Sequence, residues 1–241
     1  GCQMNVLDSE LVAGSLLEAG YERAENAKAA DVILFNTCSV RQHAEDKVYS
    51  ALGRLKHVKE RDPEKIIGVL GCMAQKDQAS ILKRAGHVDL VVGPGQLGQL
   101  PMLLEQVAAG RTPRVEVSLD RKGGRRADVE ESFARFDPCR IEAARPYRHQ
   151  AMLRIMLGCD KFCTYCIVPS VRGPEQSRPV EDIEAEVRQL AEQGCIEVTL
   201  LGQTVNSYQD RTSGRTVRLA DLLYRLDSID GIRRLKFVTN Y

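Results

Sequence analysis

The chain has 241 residues, 43% hydrophobic and 28% charged, with a formal net charge of +1. This is globular composition, long enough for one large domain or two modest ones, and the average charge argues neither for nor against a nucleic-acid partner. No apolar run reaches the roughly 18 residues a membrane span needs, and no signal-peptide pattern opens the chain. The eight cysteines therefore read as metal ligands rather than disulfides.

The first 110 residues alternate between helical and strand patterns. A helix is expected over 6–19, with Asn5 as its N-cap and Gly20 as its stop. Short apolar strands follow at 32–35, 66–70 and 90–92. Helices are expected between and after them, at 42–55, 75–85 and 97–109. Strands that are apolar on both faces, separated by helices, predict a parallel sheet covered on both sides. Residues 111–148 differ. They hold Arg121-Lys122-Gly123-Gly124-Arg125-Arg126, and Pro138 and Pro146 towards their end. They read as a basic linker, solvated on composition alone. From 149 the alternation resumes, with strands at 152–157, 196–201 and 235–238 and helices at 180–193 and 219–226. Three such units fit the first half of a (β/α) barrel. Gly1-Cys2-Gln3-Met4-Asn5 opens like the loop after a strand, and Thr239-Asn240-Tyr241 stops just after one. The chain is therefore expected to be a piece of a longer protein.

Gly158-Cys159-Asp160-Lys161-Phe162-Cys163-Thr164-Tyr165-Cys166 has C-x3-C-x2-C spacing. Three thiolates on one loop, following a strand, can hold a cubane cluster and leave one iron open. Soft thiolates also suit zinc, which would need a fourth ligand such as His149. The other cysteines are scattered. Cys38 and Cys72 each follow a predicted strand and precede a predicted helix, and Cys2 directly precedes one. All three then sit at one end of the sheet, where open α/β sheets bind ligands. A second three-thiolate site follows, favoured by nearby helix N-termini. Cys139 and Cys195 have no partner in this scheme and read as structural.

The triplet, with an aromatic residue before its last cysteine, resembles the radical S-adenosylmethionine superfamily. Taken with Gly1–Asn5, Asn36-Thr37-Cys38-Ser39-Val40-Arg41 and Gly71-Cys72-Met73-Ala74-Gln75, it resembles the methylthiotransferases, essentially end to end. The segments at Cys38–Arg41 and Cys163–Cys166 are most similar to the branch acting on N6-isopentenyladenosine in tRNA. Leu201-Gly202-Gln203-Thr204-Val205-Asn206-Ser207-Tyr208 resembles a further family stretch, but the tRNA members usually carry Asn where this chain has Thr204.

The resemblance implies an α/β fold, with an N-terminal parallel-sheet βα domain (1–110) and a basic linker (111–148). The first half of a radical SAM (β/α) barrel (149–241) completes it. It implies two [4Fe–4S] clusters, one catalytic at Cys159, Cys163 and Cys166 and one at Cys2, Cys38 and Cys72. It implies S-adenosylmethionine contacts at Tyr165, Gly202, Gln203, Ser177 and Arg178. The implied activity is methylthio insertion at C2 of the adenine beside the anticodon, with a ribosomal-protein aspartate as the rival substrate and a zinc-stabilised RNA-binding module as the rival class. Partners would be the tRNA anticodon loop, an electron-donor protein and a sulfur donor. The enzyme would be cytoplasmic and monomeric, with no membrane. The arginines of 111–126 become candidates for tRNA phosphate contacts. Lys161 and Arg172 become candidates for a phosphate or the cofactor carboxylate.

Overall fold

A computed structural model describes residues 1–40, 42–121, 125–137, 140–212 and 214–238. The chain is a mixed α/β protein that separates into two compact units, residues 1–119 with 135–141 and residues 120–134 with 142–241.

The first unit opens with α1 (Gln3–Glu18), followed by β1 (Val32–Thr37), α2 (Gln42–Arg61) and β2 (Ile66–Gly71). Next come α3 (Cys72–Asp77), α4 (Ser80–Arg84), β3 (Leu90–Val92), α5 (Leu100–Gly110) and β4 (Arg114–Glu116). The four strands pair in parallel in the order β1-β2-β3-β4. The period-two alternation of a strand sorts the apolar residues to two faces. Ile66, Leu70, Leu90 and Val92 pack with Val12, Leu100 and Leu104. Ile67, Val69 and Val91 pack with Leu52, Ala74 and Ile81 on the other face. Each such side chain contributes about 1.5–3 kcal/mol on full burial, which is why both faces must be covered.

Three local expectations change. Cys2, not Asn5, is the N-cap of α1; the Asn5 amide instead donates to the Thr37 carbonyl at 3.2 Å, tying the helix start to the end of β1. The helix expected over 75–85 is split into α3 and α4 by Gln78, whose φ of 48° is left-handed. The helix expected over 97–109 begins as a 3-10 turn (Pro94–Gln99) and becomes α-helical at Leu100, where Pro101 sets the first-turn geometry.

Residues 111–148 are more structured than an extended arm. They supply β4, which extends the parallel sheet, and helix α6 (Arg126–Phe136). Val115 and Val117 pack against the core of the first unit, so apolar positions inside a basic run decide the local structure. Lys122, Gly123, Gly124, Pro138 and Cys139 lie outside the described residues, as do Arg41 and Thr239–Tyr241 of the motifs above.

The second unit continues with β5 (Gln150–Arg154), β6 (Met156–Leu157), α7 (Val168–Arg172), β7 (Gln176–Ser177) and α8 (Val180–Glu192). It ends with β8 (Glu197–Leu201), β9 (Gln209–Asp210), β10 (Val217–Arg218), α9 (Leu219–Asp227) and β11 (Arg234–Val238). Strands β5, β8 and β11 form a parallel sheet with β8 in the centre. Ala151, Leu153 and Ile155, with Val198 and Leu200, bury one face under α8 and α9. Met152, Arg154, Thr199 and Leu201 alternate onto the other face. This is the βα order of a partial radical SAM barrel, as expected. The strand read as continuous over 152–157 breaks at Ile155, and Met156–Leu157 pairs antiparallel with β7 instead.

Candidate iron-sulfur sites

In the first unit the parallel register pairs Thr37 with Gly71, so Cys38 and Cys72 leave adjacent strands side by side. Cys2 joins them because α1 is fastened to the same sheet end. Asn36 donates to the Asn5 carbonyl at 2.8 Å, and the Thr37 hydroxyl donates to the Leu70 carbonyl at 2.5 Å. Gly71 makes the close approach possible. Its φ is +91°, and a Cβ there would stand 2.5 Å from the Thr37 carbonyl oxygen. A hydrogen bond from the Cys2 side draws the Cys38 thiol down to about 6, against the opposing effect of burial; a Val40 backbone bond lowers it further and neighbouring Cys72 raises it. Cys2 is exposed, whereas Cys38 and Cys72 are buried. A cavity of about 640 Å³ opens beside Cys2 and Cys38, lined also by Asn5, Asn36, His43 and Lys47. The buried Asn36 Oδ1 and Ser39 Oγ have no hydrogen-bond partner.

In the second unit the triplet sits on the loop after β6. Gly158 has φ +64°, and a Cβ there would meet the carbonyl oxygens of Pro174 and Gly173 at 2.1 and 2.2 Å. The Cys159 amide donates to Gly173 at 3.2 Å, so the loop is seated under the 173–174 turn. Phe162 adopts φ +48°, and the Cys166 amide donates to the Cys163 carbonyl at 2.9 Å. These bonds and the left-handed residue wind the chain tightly between Cys159 and Cys166. Cys163 and Cys166 line a cavity of about 340 Å³ with Asp160, Thr164, Ser170 and Pro174. Cys159 is buried, with Sγ 3.1 Å from the Thr204 hydroxyl.

Among the described residues no three Cys, His, Asp or Glu side chains close on a single ion. A cubane asks for a different geometry, because its three thiolates bind three different irons. The soft sulfur donors of the two trios are the ligand type such a group takes. His149 does not complete a zinc site with the triplet. It precedes β5, the triplet follows β6, and the His149 carbonyl accepts from Ile196 and Glu197 at the far end of the strand.

The remaining expected residues fall differently. Gly202 passes close over Met156, where a Cβ would stand 2.4 Å from Cγ. Gln203 keeps a buried Oε1 without a partner, as a ligand-facing amide would. The Tyr165 side chain is 95% exposed. Ser177 accepts from the Gln209 amide at 2.9 Å, and Arg178 pairs with Glu186 at 2.5 Å, so both side chains are engaged within the fold. Cys195 is fully buried and bonds the Glu197 carbonyl at 3.2 Å, a structural role as expected. Several cations of 111–126 are also engaged: Arg111 with Glu64, Arg125 with Asp128, and Arg126 with Glu130, Glu181 and Asp182.

Two features escaped sequence reasoning. One is the Thr204–Cys159 contact, signalled only by the departure from Asn. The other is a group of arginines beside the triplet loop, Arg154 and Arg172 buried and Arg121 partly so. Arg121 is held down to about 10, first by burial and then by Arg154, with Asp160 opposing and Arg172 adding to the effect. Arg121 bonds the Pro174 and Arg172 carbonyls, and Arg172 is buried rather than a solvated charge. Lys161 is exposed.

Residues 1–93 match the uncharacterized protein family UPF0004, and residues 153–241 match the radical SAM superfamily. The chain is 56% identical over its whole length to a tRNA-2-methylthio-N(6)-dimethylallyladenosine synthase of Rhodopirellula baltica, covering 50% of that protein. The whole chain also matches synthases of the same name from Bartonella henselae, at 45% identity and 52% coverage, and Staphylococcus saprophyticus, at 44% and 45%. The chain belongs to the methylthiotransferase family. Its radical SAM segment implies an iron–sulfur cluster and S-adenosylmethionine. The chain spans about half the length of the curated relatives it matches. Among the described residues no helix is long and apolar enough to cross a membrane.

Proposed function

We propose that this methylthiotransferase adds a methylthio group to C2 of N6-isopentenyladenosine beside the tRNA anticodon. The observation that carries the reading is the pairing of two cysteine trios, one in each unit, with relatives of that name matching the whole chain. Residues 1–110 act as the auxiliary-cluster domain and 149–241 as the radical SAM domain.

Cys159, Cys163 and Cys166 hold one [4Fe–4S] cluster; Cys2, Cys38 and Cys72 hold a second. When bound, the first cluster and S-adenosylmethionine supply one-electron cleavage of the sulfonium and abstraction of an unreactive hydrogen. The chain's own residues position and enclose. Gly158 and the 173–174 turn seat the triplet loop, and Gly202 lets the loop after β8 pass close to Met156 of β6. The buried Gln203 oxygen offers an acceptor to the amino group of the cofactor's methionine end. In the first unit, the N-terminus of α1 and the cavity beside Cys2 and Cys38 favour an anionic sulfur-bearing group. The substrate base must leave its stack to reach such chemistry, which suits an anticodon loop. An electron-donor protein, a sulfur donor, a cytoplasmic location and a monomeric state complete the proposal.

The test is anaerobic turnover of the reconstituted full-length protein with tRNA and with ribosomal protein, followed by mass spectrometry. A methylthio group on the adenosine supports the reading. One found only on an aspartate of the protein sinks the tRNA assignment.

A further inference from the structure

Cys159 differs from its two partners in the triplet. Cys163 and Cys166 line the cavity, whereas Cys159 is 8% exposed and its sulfur lies 3.1 Å from the hydroxyl of Thr204, which is itself 2% exposed. In the free thiol either atom can donate. Once Cys159 is a thiolate on iron, its sulfur has no proton left, and the only hydrogen available to the contact is that of the Thr204 hydroxyl. The hydroxyl is held there by the fold. Thr204 lies between Gly202, which passes within Cβ-clash distance of Met156, and Val205, which is fully buried in the core under α8. The amide and hydroxyl of Ser207 bond the Thr204 carbonyl at 2.9 and 2.8 Å, leaving the Thr204 side chain for the sulfur.

We infer that Thr204 is a positioning residue that donates a hydrogen bond to the iron-bound Cys159 and thereby raises the reduction potential of the cluster. This rests on the triplet being the cluster site proposed above. Burial around Cys159 disfavours adding an electron to an already anionic group held there. A donor aimed at one thiolate draws charge from the sulfur and stabilises the reduced state more than the oxidised one. Because Cys159 is the buried ligand, water is poorly placed to supply that hydrogen bond in place of Thr204.

The experiment uses the chain with Cys2, Cys38 and Cys72 replaced by Ala, so that one cluster remains, reconstituted anaerobically and titrated with dithionite while the reduced-cluster EPR signal is followed. In this background T204V should bind the full cluster with a lower midpoint potential. The ratio of reduced to oxidised cluster at a fixed potential should fall roughly tenfold, about 59 mV for a one-electron couple. T204S, which keeps the hydroxyl, should restore the parental value. An unchanged potential in T204V overturns the inference, as does a T204S that behaves like T204V. Should T204V lose the cluster, T204S decides alone: the parental potential supports the hydrogen bond, and loss or a lowered potential sinks it. A background chain that takes up no cluster sensitive to Cys159→Ala removes the functional reading itself, and the inference with it. A bound cluster that ignores Thr204 removes only the inference.

Discussion

The trio in the second unit comes from one loop, held by a left-handed glycine, a left-handed phenylalanine and the turn at 173–174. The trio in the first unit comes from three chain segments and exists only because β1 and β2 pair in register and α1 is pinned to their ends. A local loop can keep its cysteines together while much of the unit loosens. A trio made by tertiary structure is lost as soon as any of its supports slips. The first unit's site should therefore be the more sensitive to substitutions that touch no cysteine, and the second unit's the more sensitive to changes in its own loop.

The largest expected effect is Cys159→Ala. Iron content should fall by about four atoms per chain, and deoxyadenosine production should drop to background in an anaerobic assay, with the first unit's cluster retained. Retained deoxyadenosine formation would place the radical site elsewhere. Next is Gly158→Ala, which combines a positive φ with a 2.1 Å clash against the Pro174 carbonyl oxygen. A cost of roughly 2–4 kcal/mol is expected in urea unfolding, with loss of the triplet cluster.

Gly71→Ala sharpens the comparison. The new Cβ would push on the Thr37 carbonyl at 2.5 Å. It should cost roughly 2–3 kcal/mol and remove the first unit's iron, while deoxyadenosine is still formed. Gly20→Ala is the control, with a similar φ of +88° but nothing within 4 Å. It should cost about 1–2 kcal/mol and spare the iron. If both variants lose iron equally, the loss reports general instability rather than the geometry at the sheet end.

The smallest effect concerns pH. Lys236 and Arg234 hold the Glu197 carboxyl below the usual carboxylate range, mainly through the Lys236 hydrogen bond and against desolvation. A depressed folded pKa means that this stabilising contribution is present above the unfolded value, about 4.5, and is lost as pH falls through the folded one. Glu197→Gln should therefore unfold at nearly the same urea concentration as the parent near pH 3, and slightly earlier at pH 7. An equal difference at both pH values would contradict the assignment.

How much could be read from sequence follows the same division. The triplet was legible because its cysteines lie within eight residues, and the apolar strands because burial on both faces leaves continuous runs. Cys2, Cys38 and Cys72 were legible only through the inferred sheet, since their proximity depends on strand register. The engagement of Arg126 with α8 and the burial of Arg172 were not legible, because partners far along the chain decide them. Nor was the split at Gln78, a left-handed residue that helix propensity does not report. Thr204 stood out in sequence only as a departure from Asn; its contact with Cys159 needed the loop after β8 placed beside the loop after β6.

The central claim is that the two trios hold separate clusters of the same size. Iron and sulfide counts after anaerobic reconstitution test it directly, on the parent and on two triple variants, one for each trio. The account predicts about eight irons in the parent and about four in each variant. A zinc-loaded parent without iron, or a triple variant that keeps the parental count, would contradict it.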